Sequence, residues 1–229
     1  GAQHTRFLHS IGAFHLMSEA VLSLEQTGVF IFDSEAEAVE AAILMHDIGH
    51  APFSHVLEGT LIHGISHEEI SVMMMQRIND DMKGELNLAI KIFTDQYPKK
   101  FLHQLISSQL DVDRLDYLRR DSFFTGVTEG TIGSARIIKM LNVVDDSLVV
   151  ESKAIYSIEN YLTSRRPMYW SVYLHKTVVA YEKTLINALR RAEFLAKQGW
   201  DIFGTPALRY FLYNHIDDKW FASHEETLD

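Results

Sequence analysis

The chain has 229 residues, 47% hydrophobic and 23% charged, with a formal net charge of -10. That length supports one sizeable core, and the acidic balance argues against a duplex nucleic-acid binder that relies on a broad basic face. There is no cysteine, which excludes disulfides and thiolate zinc sites, so a bound metal must use His, Asp, Glu and water.

The lack of cysteine fits a cytoplasmic setting. No apolar run is expected to reach the roughly 20 residues of a membrane span, and no secretory signal opens the chain. The first ten residues, GAQHTRFLHS, are already motif-like, which points to further sequence upstream. A small anionic substrate stays compatible with the acidic balance, because a few local Arg and Lys can dominate the field inside a cleft.

In chain order, helix is expected almost throughout. Phe7, Leu8, Ile11, Phe14, Met17, Val21 and Leu24 form a helical stripe over 6–24, and Gly28 ends it. Asp33-Ser34 is expected to cap a second helix that carries acids in its first turn and ends at Gly49. Pro52 breaks the chain before a short turn. Ser66 reads as an N-cap with Glu69 as its capping-box partner, and Met73, Met74 and Met75 read as core filler.

Residues 83–95 read as an amphipathic helix ended by Pro98, and 99–122 as one or two more. Asp145-Asp146 lies between β-branched runs and predicts a hairpin over 143–151. A long helical stretch follows over 155–197, kinked or divided near Pro167, and 205–216 forms a last short helix. The expected fold class is all-α with one small hairpin, a single domain over 1–229 whose residues 155–229 form a C-terminal helical extension.

The stretch His46–His55 reads HDIGHAPFSH and holds three of the chain's 12 histidines. The adjacent His46 and Asp47 offer an imidazole nitrogen and a carboxylate oxygen to one divalent cation. His9, three residues after Arg6 on the first helix, is the candidate third ligand. A fourth ligand should be a carboxylate from DVDRLDYLRRD, where Asp111, Asp113, Asp116 and Asp121 all qualify. His50, His55 and His67 are candidates for proton transfer, since imidazole titrates near neutrality. His50 shares the face of His46 only if the helix runs on through Gly49. His63, His215 and His224 have no evident partners.

The order RFLHS, HDIGHAPFSH, SHEE, DVDRLDYLRRD and then RRPMYWSVYLHK resembles the HD-domain phosphohydrolases. Within them it resembles the deoxynucleoside triphosphate triphosphohydrolases, the branch of the human SAM- and HD-domain enzyme and bacterial dGTPases. The resemblance covers residues 1–215 and implies the helical HD-domain fold. It implies His9, His46, Asp47 and Asp113 as ligands of one divalent ion, whether iron, manganese, magnesium, zinc or nickel. It places His50, His55 and His67 in the catalytic pocket, with Glu68 paired to His67. Glu58 stands where the human enzyme has Asp, one methylene shorter, which bears on the contact with His55.

The resemblance also puts Arg6, Arg114, Arg165 and Lys176 near the phosphates, Tyr117 and Tyr173 by the sugar and base, and Asp121 on the sugar. His175 belongs to the same run. Arg119, Arg120 and Arg166 are left as surface charges or salt-bridge partners. The implied reaction cleaves a deoxynucleoside triphosphate to deoxynucleoside and inorganic triphosphate, in a homo-oligomer such as a dimer or tetramer. The alternatives are another HD phosphohydrolase, a nucleotidase or cyclic-nucleotide phosphodiesterase, and a non-catalytic nucleotide-binding module.

Overall fold

A computed structural model describes residues 3–223; His224 and the end of the expected extension lie outside the described residues. The helices are α1 (Arg6–Gln26), α2 (Asp33–Met45), α3 (His67–Asp81), α4 (Asn87–Phe93), α5 (Lys100–Ile106) and α6 (Val112–Thr125). They continue with α7 (Ser134–Lys139), α8 (Ile155–Met168), α9 (Lys176–Lys197), α10 (Pro206–Tyr213) and α11 (Asp218–Ser223). Four short strands accompany them: β1 (Ile62–His63), β2 (Leu141–Val144), β3 (Ser147–Val150) and β4 (Ile216–Asp217). The all-α expectation holds.

By internal packing the chain divides into two compact units, residues 3–47 with Ile78–His175, and Ile48–Arg77 with 176–223. In the first, α1 packs against α2, α6 and α7. Its inward face, Ala13, Leu16, Met17, Ala20, Val21 and Leu24, is buried, which keeps Met17, Val21 and Leu24 of the expected stripe but leaves its first residues, Phe7, Leu8 and Ile11, exposed. By length and hydropathy α1 could cross a membrane, which corrects the expectation that no segment reaches that length. Its buried face is nevertheless committed to the protein core.

Helix α2 starts at Asp33, one residue earlier than the expected cap allows. The Phe32 N–H donates to Glu35 (2.9 Å), whose own N–H reaches the Phe32 carbonyl. Glu35 is almost wholly buried (1% exposed) and also accepts from Tyr97 Oη and Lys99 Nζ, each at 2.6 Å. These bonds hold its carboxylate below the ordinary range against the opposing effect of burial. The helix ends at Met45, short of Gly49.

The expected helix over 83–95 is shorter, because Lys83 (φ 56°) and Gly84 (φ 94°) turn the chain before α4 begins. The hairpin pairs Val143 with Leu148 and Val144 with Ser147. Asp145 and Asp146 both sit at positive φ (50° and 61°), the geometry of a two-residue turn between twisted strands. After Pro167 the helix loosens into a π-turn over Tyr169–Tyr173, closed by Leu174 N–H to the Tyr169 carbonyl at 2.7 Å. The division expected near Pro167 therefore falls just beyond it.

In the second unit, Ser66 and Glu69 form the expected capping box: Ser66 N–H donates to Glu69 at 2.8 Å and Glu69 N–H to Ser66 Oγ at 3.2 Å. One apolar cluster joins Val56, Leu61, Leu189, Ala196 and Leu212. A second joins Ile62, Ile65, Ile70, Ile216 and Phe221, with Met73 and Met74 packed on it. Here β1 and β4 pair in parallel, Ile62 beside Ile216. The expected last helix over 205–216 ends at Tyr213, and residues 216–217 serve as a strand instead.

Removing a buried, hydrogen-bonded charge from its partners costs about 3 kcal/mol or more. Glu35→Ala is therefore expected to lower the urea unfolding free energy by about that amount, and an unchanged midpoint would show that Glu35 does not anchor α2.

Candidate metal centre and histidine cluster

Four side chains of the first unit converge. His9 lies on the buried side of α1, His46 caps α2 and Asp47 follows it, and Asp113 stands in the first turn of α6. His9 Nε2 is 3.0 Å from Asp113 Oδ1 and 3.9 Å from Asp47 Oδ2, and His46 Nε2 is 3.4 Å from one oxygen of each carboxylate. Donor atoms sharing one cation at about 2.1 Å lie roughly 3.0–3.4 Å apart, so the spacing suits a single divalent ion. The candidate donors of His9, His46 and Asp47 all lie within 4.8 Å of one another.

The other face of each imidazole is anchored. His46 Nδ1 is 2.6 Å from the Ile43 carbonyl. A carbonyl can only accept, so Nδ1 carries the proton and the neutral ring keeps its lone pair on Nε2. His9 Nδ1 is 2.7 Å from Asp116 Oδ2. Arg120 grips the same carboxylate with two bonds of 2.8 Å, Nε to Oδ2 and Nη2 to Oδ1. A carboxylate or carbonyl behind a metal-binding imidazole fixes its tautomer and raises its basicity. The donor set therefore fits a divalent ion on the structure's own geometry.

Burial by itself would lower the His9 pKa, but hydrogen bonds to Asp113 and Asp116 and their charges outweigh it and raise it to about 9. His46 is also raised, against burial, by Asp113 and by the Asp47 charge. Asp113 is held well below the carboxylate range, against burial, by its bonds to both histidines. Without a cation, a proton on His9 balances part of the carboxylate charge.

The four acids of DVDRLDYLRRD take four different positions. Asp111 caps α6, accepting from Arg114 N at 2.8 Å, and burial pushes its carboxyl up to about 6. Asp113 meets both histidines, Asp116 backs His9, and Asp121 accepts from Tyr173 Oη at 2.7 Å. His4 Nε2 reaches the other oxygen of Asp121 at 3.1 Å. Tyr117 stands edge-on to Tyr173 with ring centres 6.1 Å apart. Burial raises both phenols, and the Asp121 bond raises Tyr173 further, so both stay neutral donors.

Arg6 Nη1 donates to Asp47 Oδ2 at 2.6 Å. The Arg114 guanidinium is engaged by the Asp111 carboxylate and the Ser108 carbonyl. Arg165 stands over the Tyr161 ring at 5.9 Å. His175 is exposed, and Lys176 opens α9 in the other unit. Arg120 is a salt-bridge partner, as expected.

In the second unit, Glu58 binds two histidines. Its Oε2 is 2.7 Å from His55 Nδ1, and its Oε1 is 2.8 Å from His67 Nδ1 and accepts from the His67 N–H at 2.6 Å. The longer side chain thus keeps the His55 contact, and it also takes the place expected of Glu68: the carboxylate on His67 is Glu58. These bonds hold Glu58 down at about 2, against burial. His50 stacks on His67 with ring centres 3.9 Å apart. Gly49 permits this packing, because a Cβ there would meet the His67 carbonyl at 2.2 Å and Ser71 N at 2.3 Å. His63 and His215 also find a neighbour in each other, stacked with ring centres 4.9 Å apart.

Sequence reasoning missed His4, the backing carboxylate Asp116 and the double bonding of Glu58. A signal existed for Asp116: it stands three residues after Asp113 and four before Arg120, on adjacent helical positions.

Loss of a backing carboxylate costs about 10–100-fold in metal affinity. Asp116→Asn should weaken Mn²⁺ binding by that factor, and calorimetry giving unchanged affinity would remove Asp116 from the site. A cation must also displace the His9 proton. With that proton held up to about 9, Mn²⁺ affinity should climb steadily from pH 6 to pH 9; a flat or falling profile would contradict the arrangement.

Comparison with known proteins gives a consistent picture. The HD domain matches residues 6–121, and the HD associated region matches 132–199. The crystal structure of a phosphohydrolase from Bacteroides thetaiotaomicron is 68% identical, with a TM-score of 0.95 over 99% of this chain and 56% of that one. The YwfO protein of Bacillus subtilis is 32% identical over 93% of this chain and 50% of its own length. The deoxynucleoside triphosphate triphosphohydrolase SAMHD1 homolog of Dictyostelium discoideum is 29% identical over 86% of this chain and 42% of its own. The chain thus spans about half the length of the relatives it matches.

Proposed function

Since this chain belongs to the HD-domain family of metal-dependent phosphohydrolases, we propose that it cleaves deoxynucleoside triphosphates to deoxynucleoside and inorganic triphosphate. The observation that carries the reading is the convergence of His9, His46, Asp47 and Asp113 at 3.0–3.9 Å, with both imidazoles oriented from behind. The similarity to a triphosphohydrolase from Dictyostelium discoideum supports the substrate class.

His9, His46, Asp47 and Asp113 would hold the divalent ion, which supplies Lewis-acid polarisation and lowers the pKa of water. His67 is assigned proton transfer: it takes a proton from the water that attacks the α-phosphorus. Glu58, bonded to His67 Nδ1, orients the ring. The bond from the α-phosphorus to the 5′ oxygen breaks, and the proton passes to that oxygen. His50, His55 and Glu68 complete the catalytic set in this reading, with Glu68 at its margin.

Asp121 and Tyr173 offer an acceptor and a phenol to a sugar, and Tyr117 offers a ring face to a base. Arg6, Arg165, His175 and Lys176 are assigned to the phosphates. The protein is assigned a homo-oligomeric state, dimer or tetramer, and the exposed Phe7, Leu8 and Phe123 supply apolar surface for contacts.

One observation favours a second reading. Arg114 is committed to Asp111 and Ser108, which removes one of the cations expected for a triphosphate. A nucleotidase or cyclic-nucleotide phosphodiesterase needs fewer of them.

Incubation with dNTPs and Mn²⁺ should release inorganic triphosphate in one step, and His67→Ala should lower kcat by about 10²–10⁴-fold. Orthophosphate or pyrophosphate as first product would overturn the cleavage position, and turnover of monophosphates alone would favour the second reading.

A further inference from the structure

The three histidines of the second unit form a compact group with a chemistry of its own. His50, His55 and His67 offer ring nitrogens that all lie within 4.8 Å of one another. His55 stands edge-on to the other two, with ring centres at 5.1 Å from His50 and 5.2 Å from His67. Glu58 occupies Nδ1 of both His55 and His67. Their Nε2 atoms are therefore the ones turned to ligand duty, and each ring is backed by a carboxylate in the manner of metal-binding imidazoles. His55 is exposed, and His50 and His67 are half-buried, so an ion can enter from solvent.

We propose that His50, His55 and His67 form a second metal site, separate from the His46-Asp47 centre, that takes one borderline transition cation such as Zn²⁺ or Co²⁺. The ligand chemistry selects the ion. Imidazole suits zinc, cobalt and their neighbours, whereas magnesium and calcium need oxygen ligands. Glu58, the carboxylate bonded to two of the three, has both oxygens committed to the histidines. Three imidazoles leave a fourth position for water, as in open zinc sites.

Ligand atoms around a tetrahedral zinc lie roughly 3.4 Å apart, so the group must tighten from its present 4.8 Å limit. His50 and His67 are stacked with only 14° between their planes, so their lone pairs lie in nearly parallel planes and do not converge on one point. Rotation of His50 about its side-chain bonds brings its lone pair round, with His55 and His67 held by Glu58.

A consequence rests on the proton-transfer role given to His67 above. An imidazole whose Nε2 holds a cation cannot pass a proton through that atom, so zinc at this site would silence hydrolysis.

The test reads binding directly and needs no substrate, so it fails or succeeds independently of the proposed hydrolysis. In the full chain carrying His9→Ala and Asp113→Ala, titration with Co²⁺ should still give one bound ion with visible ligand-field absorption. Adding His55→Ala should abolish that absorption, and Glu58→Gln should weaken binding by about 10–100-fold. Loss of all stoichiometric binding in the folded double variant, or binding indifferent to His55→Ala, would overturn the site. Should the double variant fail to fold, the unaltered protein loaded with Mn²⁺ serves instead. Added Zn²⁺ should then shift the imidazole nitrogen resonances of His55 and His67 at one equivalent, and resonances that stay in place would refute the proposal.

Discussion

The bond from Asp116 to His9 is the contact on which the metal centre depends. It fixes the ring so that Nε2 faces Asp113 and Asp47, while Arg120 holds the carboxylate from behind. This chain of three side chains exists only because α1 and α6 approach closely. Gly12, one turn after His9, makes that approach possible, since a Cβ there would fall 2.1 Å from both Asp116 Oδ1 and Arg120 Nη2. The glycine on one helix and the Asp-Arg pair on the other are a single packing solution, and the direction of His9 is its product.

His46 is aimed by a simpler device. Helix α2 stops at Met45, and the carbonyl of Ile43 accepts from both the backbone N–H and the imidazole of His46. The candidate ligand thus helps to satisfy a carbonyl at the helix end. The same step ends the helix and orients a donor, which places Asp47 at the start of the next turn with Arg6 on its outer oxygen. Local backbone chemistry and site geometry are one problem here.

Much of the local order was legible in the sequence. The Met17–Leu24 part of the α1 stripe, the Ser66–Glu69 capping box and the Asp145-Asp146 turn are short-range patterns whose cause lies within a few residues. The His46-Asp47 pair announced itself in the same way. Contacts between distant segments were not legible. The β1–β4 pairing joins residues 62 and 216, and no local pattern encodes it. The run DVDRLDYLRRD presents four acids of equal appearance. Packing against α1 separates the candidate ligand Asp113 from the backing carboxylate Asp116, while Asp111 is set by its bonds to Ser108 and Arg114 and Asp121 by its bond from Tyr173; resemblance to the family had already singled out Asp113. Glu58 was read as a lengthened aspartate, and the added methylene in fact lets it span two histidines.

The account stands on one cation shared by His9, His46, Asp47 and Asp113. Its most direct measurement is anomalous diffraction at the manganese edge from crystals grown with Mn²⁺. A single strong peak about 2.0–2.3 Å from His9 Nε2, His46 Nε2 and an oxygen of each aspartate is the predicted result. A peak that leaves out His9 or Asp113, or density with no peak between them, would contradict it.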